Sequence, residues 1–224
     1  MKLYGTKTSP YARIIRIVIF EKKLNNQIEF IWTKTRVPDD PMYSINPSGR
    51  VPFLLLDDGT GIEDTPVLVQ YLDNLKKPRI FVDGLEHFDF QYLQIEAKAR
   101  SLLDGASVWI REIRRPSNEQ SPTILQHEQN RAIRLTSYFN KIVSDPLLSG
   151  SINLAQLYLF AALDLERRIQ AFSWRQGNAN LTKWYERMES QPSVKASWQP
   201  YPSSKILLLH SICGALKNEQ PFRR

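Results

Sequence analysis

Two short stretches of this chain set polar, potentially reactive residues at the point where a helix should begin. Ser9-Pro10 places a hydroxyl immediately before a proline, the arrangement of an N-cap followed by proline at the first helical position. Thr65-Pro66 repeats the device and is read as a second cap. Ahead of it, Asn46-Pro47-Ser48-Gly49 is turn chemistry, since proline presets φ and glycine tolerates a positive φ. Val51-Pro52 then leads directly into Phe53-Leu54-Leu55-Leu56, an apolar run of strand type, and a proline is tolerated as a strand's first residue. An X-Pro bond is where a cis peptide can occur. A cis Val51-Pro52 bond is expected to turn the Val51 N–H and C=O into a groove, where an extended peptide-like ligand can pair with them as an added strand. An ordinary hairpin feeding a helix accounts for the same twenty residues equally well.

The elements that must position these groups follow from periodicity. Lys2-Leu3-Tyr4 is a short strand ending at Gly5, and Thr6 to Ser9 is a polar turn. Tyr11, Ile14, Ile15, Val18 and Ile19 keep the spacing of one helical face, while Ile17 and Phe20 add apolar surface opposite. The helix, expected over Pro10–Leu24, is therefore read as sandwiched. Alternation through Ile28, Phe30 and Trp32 predicts a second strand, parallel to the first through a right-handed crossover. Thr33 to Tyr43 reads as a loop with one helical turn. Asp57-Asp58-Gly59 is a hairpin signal, Gly61-Ile62-Glu63 the return strand, and Leu68, Tyr71, Leu72 and Leu75 the inward face of the next helix. The order βαβ then ββα is that of a thioredoxin-like domain.

Past Lys76-Lys77-Pro78 the pattern becomes wholly helical. Tyr92, Ile95, Ala99, Leu102, Ala106 and Ile110 recur at threes and fours within a long helix from Glu86 to Arg115, stopped by Pro116. Leu125 to Ile142 forms another, Asn153-Leu154-Ala155-Gln156 a capping box opening a third, and Leu181, Trp184, Tyr185 and Met188 a fourth. The expected organisation is an α/β domain over 1–78, a linker over 79–84 and an all-helical bundle over 85–224. Ile206-Leu207-Leu208-Leu209 and Ile212 predict one more helix docked on that bundle.

Composition narrows the function classes. Hydrophobic content of 42% and charged content of 24% belong to a globular chain. The single cysteine, Cys213, excludes an internal disulfide and any cysteine-rich metal site. His87, His127 and His210 are dispersed and give no metal pattern. The net charge of +7 divides as +3 over the first 80 residues and +4 over the rest, a dispersed excess that argues against nucleic acid as the partner. Met1 to Gly5 does not read as a leader and no run approaches transmembrane length, so cytoplasm is the expected location and no membrane partner is expected.

A thioredoxin-like domain followed by a helical bundle resembles the plan of the cytosolic glutathione S-transferases. Ser9-Pro10-Tyr11-Ala12-Arg13 sits where that superfamily keeps its active-site Ser, Tyr or Cys. Asn46 to Pro52 is similar to its Asn-Pro-x-Gly-Lys/Gln-Val-Pro motif, Asp64-Thr65 to its acidic-Ser pair, and Asn153 to Gln156 to its helical-domain capping box. The Ser-Pro-Tyr-x-Arg opening and Leu102–Pro116 are similar to a bacterial subgroup typified by the YibF protein. The resemblance implies glutathione as co-substrate and a thiol, pKa about 8.5 when free, that must be ionised to act.

On that resemblance Ser9 donates its hydroxyl hydrogen to the sulfur, helped by the positive end of its helix; a bare N-cap is the competing role. Val51 and Pro52 face the cysteinyl part, and Arg50 stands where Gln or Lys commonly assists. Asp64 meets the γ-glutamyl ammonium and Thr65 the γ-glutamyl carboxylate. Lys34 or Arg36 is within reach of the glycyl carboxylate. Tyr11, Trp109 and Arg111 are candidates for the acceptor pocket, against a plain core position for Tyr11 and a plain bundle helix for the others. The implied activity is conjugation or reduction of a small electrophile by a homodimer. The alternative is a non-catalytic protein-interaction module related to stringent starvation protein A. Gln156 departs from the family's acidic residue, and the absence of cysteine at position 9 argues against thiol-transfer chemistry.

Overall fold

Short runs of alternating and β-branched residues at 2–5, 29–32, 53–55 and 61–63 pair into one sheet. The computed structural model describes residues 1–81 and 90–198. Strands β1 (Lys2–Gly5), β2 (Glu29–Trp32), β3 (Phe53–Leu55) and β4 (Gly61–Glu63) lie in the order β2-β1-β3-β4. β1 and β2 are parallel, as a crossover through one helix requires, and the other two pairings are antiparallel. The register sets Leu3 between Phe30 and Leu54, with Ile62 beyond Leu54. The mixed sheet with its helices and the helical region that follows are the architecture expected from the sequence.

Helix α1 (Pro10–Glu21) is buried from Ala12 through Ile19, including two arginines, because it lies between the sheet side and the helical region. α2 (Met42–Ile45) is the single turn expected in the long loop. α3 (Thr65–Asn74) buries Leu68, Val69 and Leu72. Tyr71 is only half-buried and Leu75 is exposed, so the inward face is rotated toward Val69 from the one expected. α3 is also a residue longer at its start than read: Asp64, not Thr65, is the N-cap, its side chain accepting from Thr65 N–H at 2.9 Å.

The helical region comprises α4 (Phe90–Glu112), α5 (Pro122–Ile142), α6 (Pro146–Ser149), α7 (Leu154–Leu163), α8 (Ala179–Ser190) and α9 (Pro192–Ala196). The expected stretch 86–89 of α4 and the expected helix beyond Tyr201 lie outside the described residues. Every residue of α7 is buried; apolar all round, it packs against α4, α1 and α8. Its N-cap is Asn153, whose Oδ1 accepts from Gln156 N–H at 3.0 Å. The Gln156 side chain does not complete a capping box. Its amide donates to Ser151 O at 3.1 Å and Gly150 O at 3.4 Å, using hydrogens a carboxylate would lack. Asn153→Ala, which also removes a bond to Leu147 O, is expected to lower unfolding stability by about 1–2 kcal/mol in urea titration.

One polar knot ties the end of α1 to the end of α3. Lys22 and Asp73 are 2% and 0% exposed and form an ion pair of 2.8 Å. The ammonium also donates to the carbonyls of Asp73 at 3.0 Å, Pro78 at 2.6 Å, and Lys76. The carboxylate accepts from Ile80 N–H and Phe81 N–H. Residues 79–81, read from sequence as the start of a linker, are thus fastened to the α/β part. Among the described residues no helix is long and apolar enough to cross a membrane.

Candidate functional site

The sheet's strand directions gather the sequence-selected residues at one edge. β1 ends at Gly5, antiparallel β3 begins beside it, and β4 ends beside the start of β3; Tyr4 pairs with Phe53 and Phe53 with Glu63. The segments leaving that edge carry Ser9, Val51 and Asp64. Gly5 permits the tight return into α1, since a Cβ there would meet the Phe30 ring at 2.8 Å and Ala12 Cβ at 3.0 Å.

Ser9 caps α1 from an extended conformation (φ −75°, ψ 117°), its Oγ accepting from Ala12 N–H at 3.1 Å. That bond uses an oxygen lone pair. The hydroxyl hydrogen remains and has no acceptor among the described residues. Cap and hydrogen donor are therefore compatible roles of one group.

The Asn46–Arg50 turn is held from within. Buried Asn46 donates to Arg50 O at 2.8 Å, and Ser48 Oγ lies 2.9 Å from Asn46 Oδ1 and also against the Glu63 carboxylate. Gly49 sits at φ +62°, where a Cβ would strike the Tyr43 ring at 2.6 Å. The Val51-Pro52 bond is cis, as expected, and Val51 precedes the β3 ladder. Neither its N–H nor its C=O is paired with another described residue. Arg50, at the end of the turn, is exposed.

Asp64 has φ +71° and ψ 134°, a region that costs a non-glycine residue on the order of 1–3 kcal/mol and clusters at functional sites. The carboxylate reaches Thr65 N–H with one oxygen and leaves the other available. Thr65 is 2% exposed, opening α3.

The acceptor-pocket candidates separate. Tyr11 is half-buried and donates its phenol hydrogen to Asp104 of α4. Burial first, then Asp104, hold this phenol well above its ordinary pKa, with Ser107 and Arg111 acting in the opposite sense. Arg111 folds back along α4 to donate to Ser107 O at 2.8 Å. Tyr11, Asp104, Ser107 and Arg111 thus form one polar cluster between α1 and α4. Trp109 does not join it: it is 4% exposed, its ring 5.8 Å from that of Phe172 on the bundle side of α4. Position 109 lies about 140° around the helix from 104, which is the reason. Arg115 pairs instead with Glu119 at 3.6 Å on the surface.

Lys34 and Arg36 lie on the loop after β2, and Arg36 takes φ +64°. Arg114 is held below its ordinary pKa by burial and then by the positive charge of Arg36, which sets this loop near the end of α4. Tyr158, inside α7, has its pKa raised by burial and then by Glu96, with Arg100 acting in the opposite sense and Asp64 and Tyr11 adding smaller raising effects. Sequence reasoning missed Asp104, although its spacing with Ser107 and Arg111, at three and four residues, puts the three on one face of α4. Among the described residues no group of His, Cys, Asp and Glu is arranged to hold a metal.

Residues 8–75 match the family profile described as "Glutathione S-transferase, N-terminal domain". The chain is 29% identical over 204 residues to the GST-like protein YibF of Escherichia coli (strain K12), covering 89% of this chain and 99% of that one. The chain is thus similar to the glutathione S-transferase superfamily, through that domain and along most of its length. It is also 27% identical to glutathione S-transferase 2 of Saccharomyces cerevisiae, covering 87% of this chain and 88% of that one. A glutathione S-transferase from Methylobacillus flagellatus, solved with glutathione bound, superposes with a TM-score of 0.79 at 28% identity, covering 89% of this chain and 99% of the other.

Proposed function

We propose that this chain binds glutathione and ionises its thiol for attack on a small electrophile. The observation that carries the reading is the Ser9 hydroxyl. It sits at the N-terminus of α1 with its oxygen committed to the cap and its hydrogen uncommitted. A hydrogen bond donated to a sulfur anion, added to the positive end of a helix, lowers the thiol pKa. Stabilising the thiolate by about 1.4–2.7 kcal/mol lowers the pKa by about one to two and raises the ionised fraction at neutral pH by a factor of roughly 8 to 25.

The neighbouring groups suit a tripeptide with an ammonium at one end. Val51 offers an unpaired N–H and C=O at the strand start, the pattern that recognises an extended backbone, with Pro52 shaping the turn and Arg50 beside it. Asp64 presents its free oxygen to the γ-glutamyl ammonium, while the start of α3 at Thr65 faces the γ-glutamyl carboxylate. Lys34 or Arg36 serves the glycyl carboxylate. Tyr11 and Arg111 border the acceptor, with Tyr11 kept protonated as a donor. The thiol proton leaves to solvent, and the sulfur lone pair forms the bond to the electrophilic atom as a leaving group departs with its electron pair or, in an addition, as the π bond at that atom opens and its carbanion takes a proton from solvent. Residues 1–78 supply the glutathione contacts and 85–224 the rest of the pocket, in a homodimer.

Retention on immobilised glutathione, with release by free glutathione, tests the reading directly. The expected result is retention together with a rise in melting temperature on adding glutathione. Absence of both would overturn it.

A further inference from the structure

Arg168, just past α7, reaches back to the turn that carries Ser9. Its Nη1 donates to the Thr8 carbonyl oxygen at 2.6 Å across 160 positions of sequence. Thr8 C=O and Ser9 N–H belong to one planar peptide unit. The Ser9 N–H in turn donates to Thr6 O at 3.3 Å. Holding that carbonyl therefore holds the plane from which the Ser9 side chain departs.

A cavity of about 10 Å³, room for roughly one water, lies under the turn, lined by Lys7, Thr8, Ser9, Arg13, Arg16 and Asp164 among others. A second arginine fastens the same region in the opposite direction. Arg13, 7% exposed in the first turn of α1, contacts Asp164 Oδ2 at 2.7 Å with its guanidinium 5.0 Å from the Phe160 ring. Asp164 Oδ1 is itself held by Tyr185 at 2.7 Å and Arg167 at 2.9 Å. Asp164 and Arg168 thus act from one short segment on the two sides of Ser9, the first on the helix after it and the second on the peptide before it.

We propose that Arg168 is a positioning residue for the Ser9 hydroxyl, setting its bearing from the helical region so that the hydrogen points at a bound thiolate. The proposal rests on the function inferred above. Arg168 touches no reacting atom; it acts through the Thr8–Ser9 peptide.

The test compares the full chain with Arg168→Ala and Arg168→Lys. In Arg168→Ala the pH at which bound glutathione is half-ionised, followed by ultraviolet absorbance of the thiolate, should rise by about 1. Turnover at neutral pH should fall about tenfold with KM for glutathione within about twofold. Arg168→Lys should recover much of the loss, because an ammonium also donates to a carbonyl. Hydrogen exchange at the Ala12 amide, which Ser9 Oγ holds, should accelerate about tenfold in Arg168→Ala without ligand. Unchanged ionisation and unchanged Ala12 exchange would overturn the proposal. So would a parallel loss of kcat, KM and melting temperature that lysine does not rescue, which marks a structural role only. If the wild-type chain neither binds glutathione nor ionises it, the function inferred above fails, and Ala12 exchange alone then decides whether Arg168 positions the turn.

Discussion

Asp73→Ala should cost about 3–5 kcal/mol of unfolding free energy, read as a large drop in the urea midpoint. The substitution leaves the Lys22 ammonium, 2% exposed, facing three carbonyls without a counter-charge. It also orphans the Ile80 and Phe81 N–H groups that the carboxylate accepts from. Against a total stability of about 5–15 kcal/mol, such a loss removes a large share of the margin. Replacing both partners with apolar residues of similar volume should cost much less than Asp73→Ala alone, because no charge is then stranded. If the single and double replacements cost the same, the ion pair is not the source.

The same pair gives acid sensitivity with a definite sign. Burial opposes ionisation of Asp73, but Lys22 and the Ile80 and Phe81 N–H groups outweigh it, and the carboxyl is held below the ordinary range. A folded pKa below the unfolded value, about 3.9, contributes stability that is fully present above that value and is lost as pH falls through the folded pKa. Melting temperature should therefore drop on acidification below about pH 4 more steeply for the native chain than for Asp73→Ala.

Ser9→Ala should lower turnover with a model electrophile about 8- to 25-fold at neutral pH while leaving glutathione affinity nearly unchanged. Without the donated hydrogen bond the bound thiol returns toward its free pKa of about 8.5, and its ionised fraction at neutral pH falls to about 3%. The two rate profiles should converge above about pH 9, where the thiol ionises unaided. The lost cap costs a further 0.5–2 kcal/mol or so of stability, which melting measurements detect separately. Ser9→Asp separates the roles, since it keeps an N-cap acceptor, lacks the donor and sets a negative charge beside the sulfur. Its stability should recover while its turnover stays low. Equal turnover in native chain and Ser9→Ala at neutral pH would remove Ser9 from the mechanism.

Local chemistry makes much of this fold legible. Alternation over Ile28 to Trp32, the Asp57-Asp58-Gly59 turn and the Ser9-Pro10 cap are signals carried by adjacent residues, and each corresponds to an observed element. The helical face of α4 is equally plain. What local signals miss are features made by contact across the chain. Lys22 and Asp73 look like ordinary polar residues at helix ends, and only folding brings them together over 51 positions. Asp64 displaces Thr65 as cap because a positive φ allows its side chain to reach the next N–H, which residue type alone does not announce. Trp109 shares a helix with the pocket residues, but its angle around that helix points it at Phe172. The Arg168–Thr8 bond has no local signal at all.

Helix α1 begins at the Ser9 cap and ends, about 18 Å away, at the Lys22 knot. Structurally it is a strut clamped at both ends: Arg13 anchors one end to Asp164, and Asp73 anchors the other. A rod held this way cannot slide or tilt to absorb a disturbance. The role proposed for the Ser9 hydroxyl would then depend on a charge pair at the other end of α1 that no substrate meets.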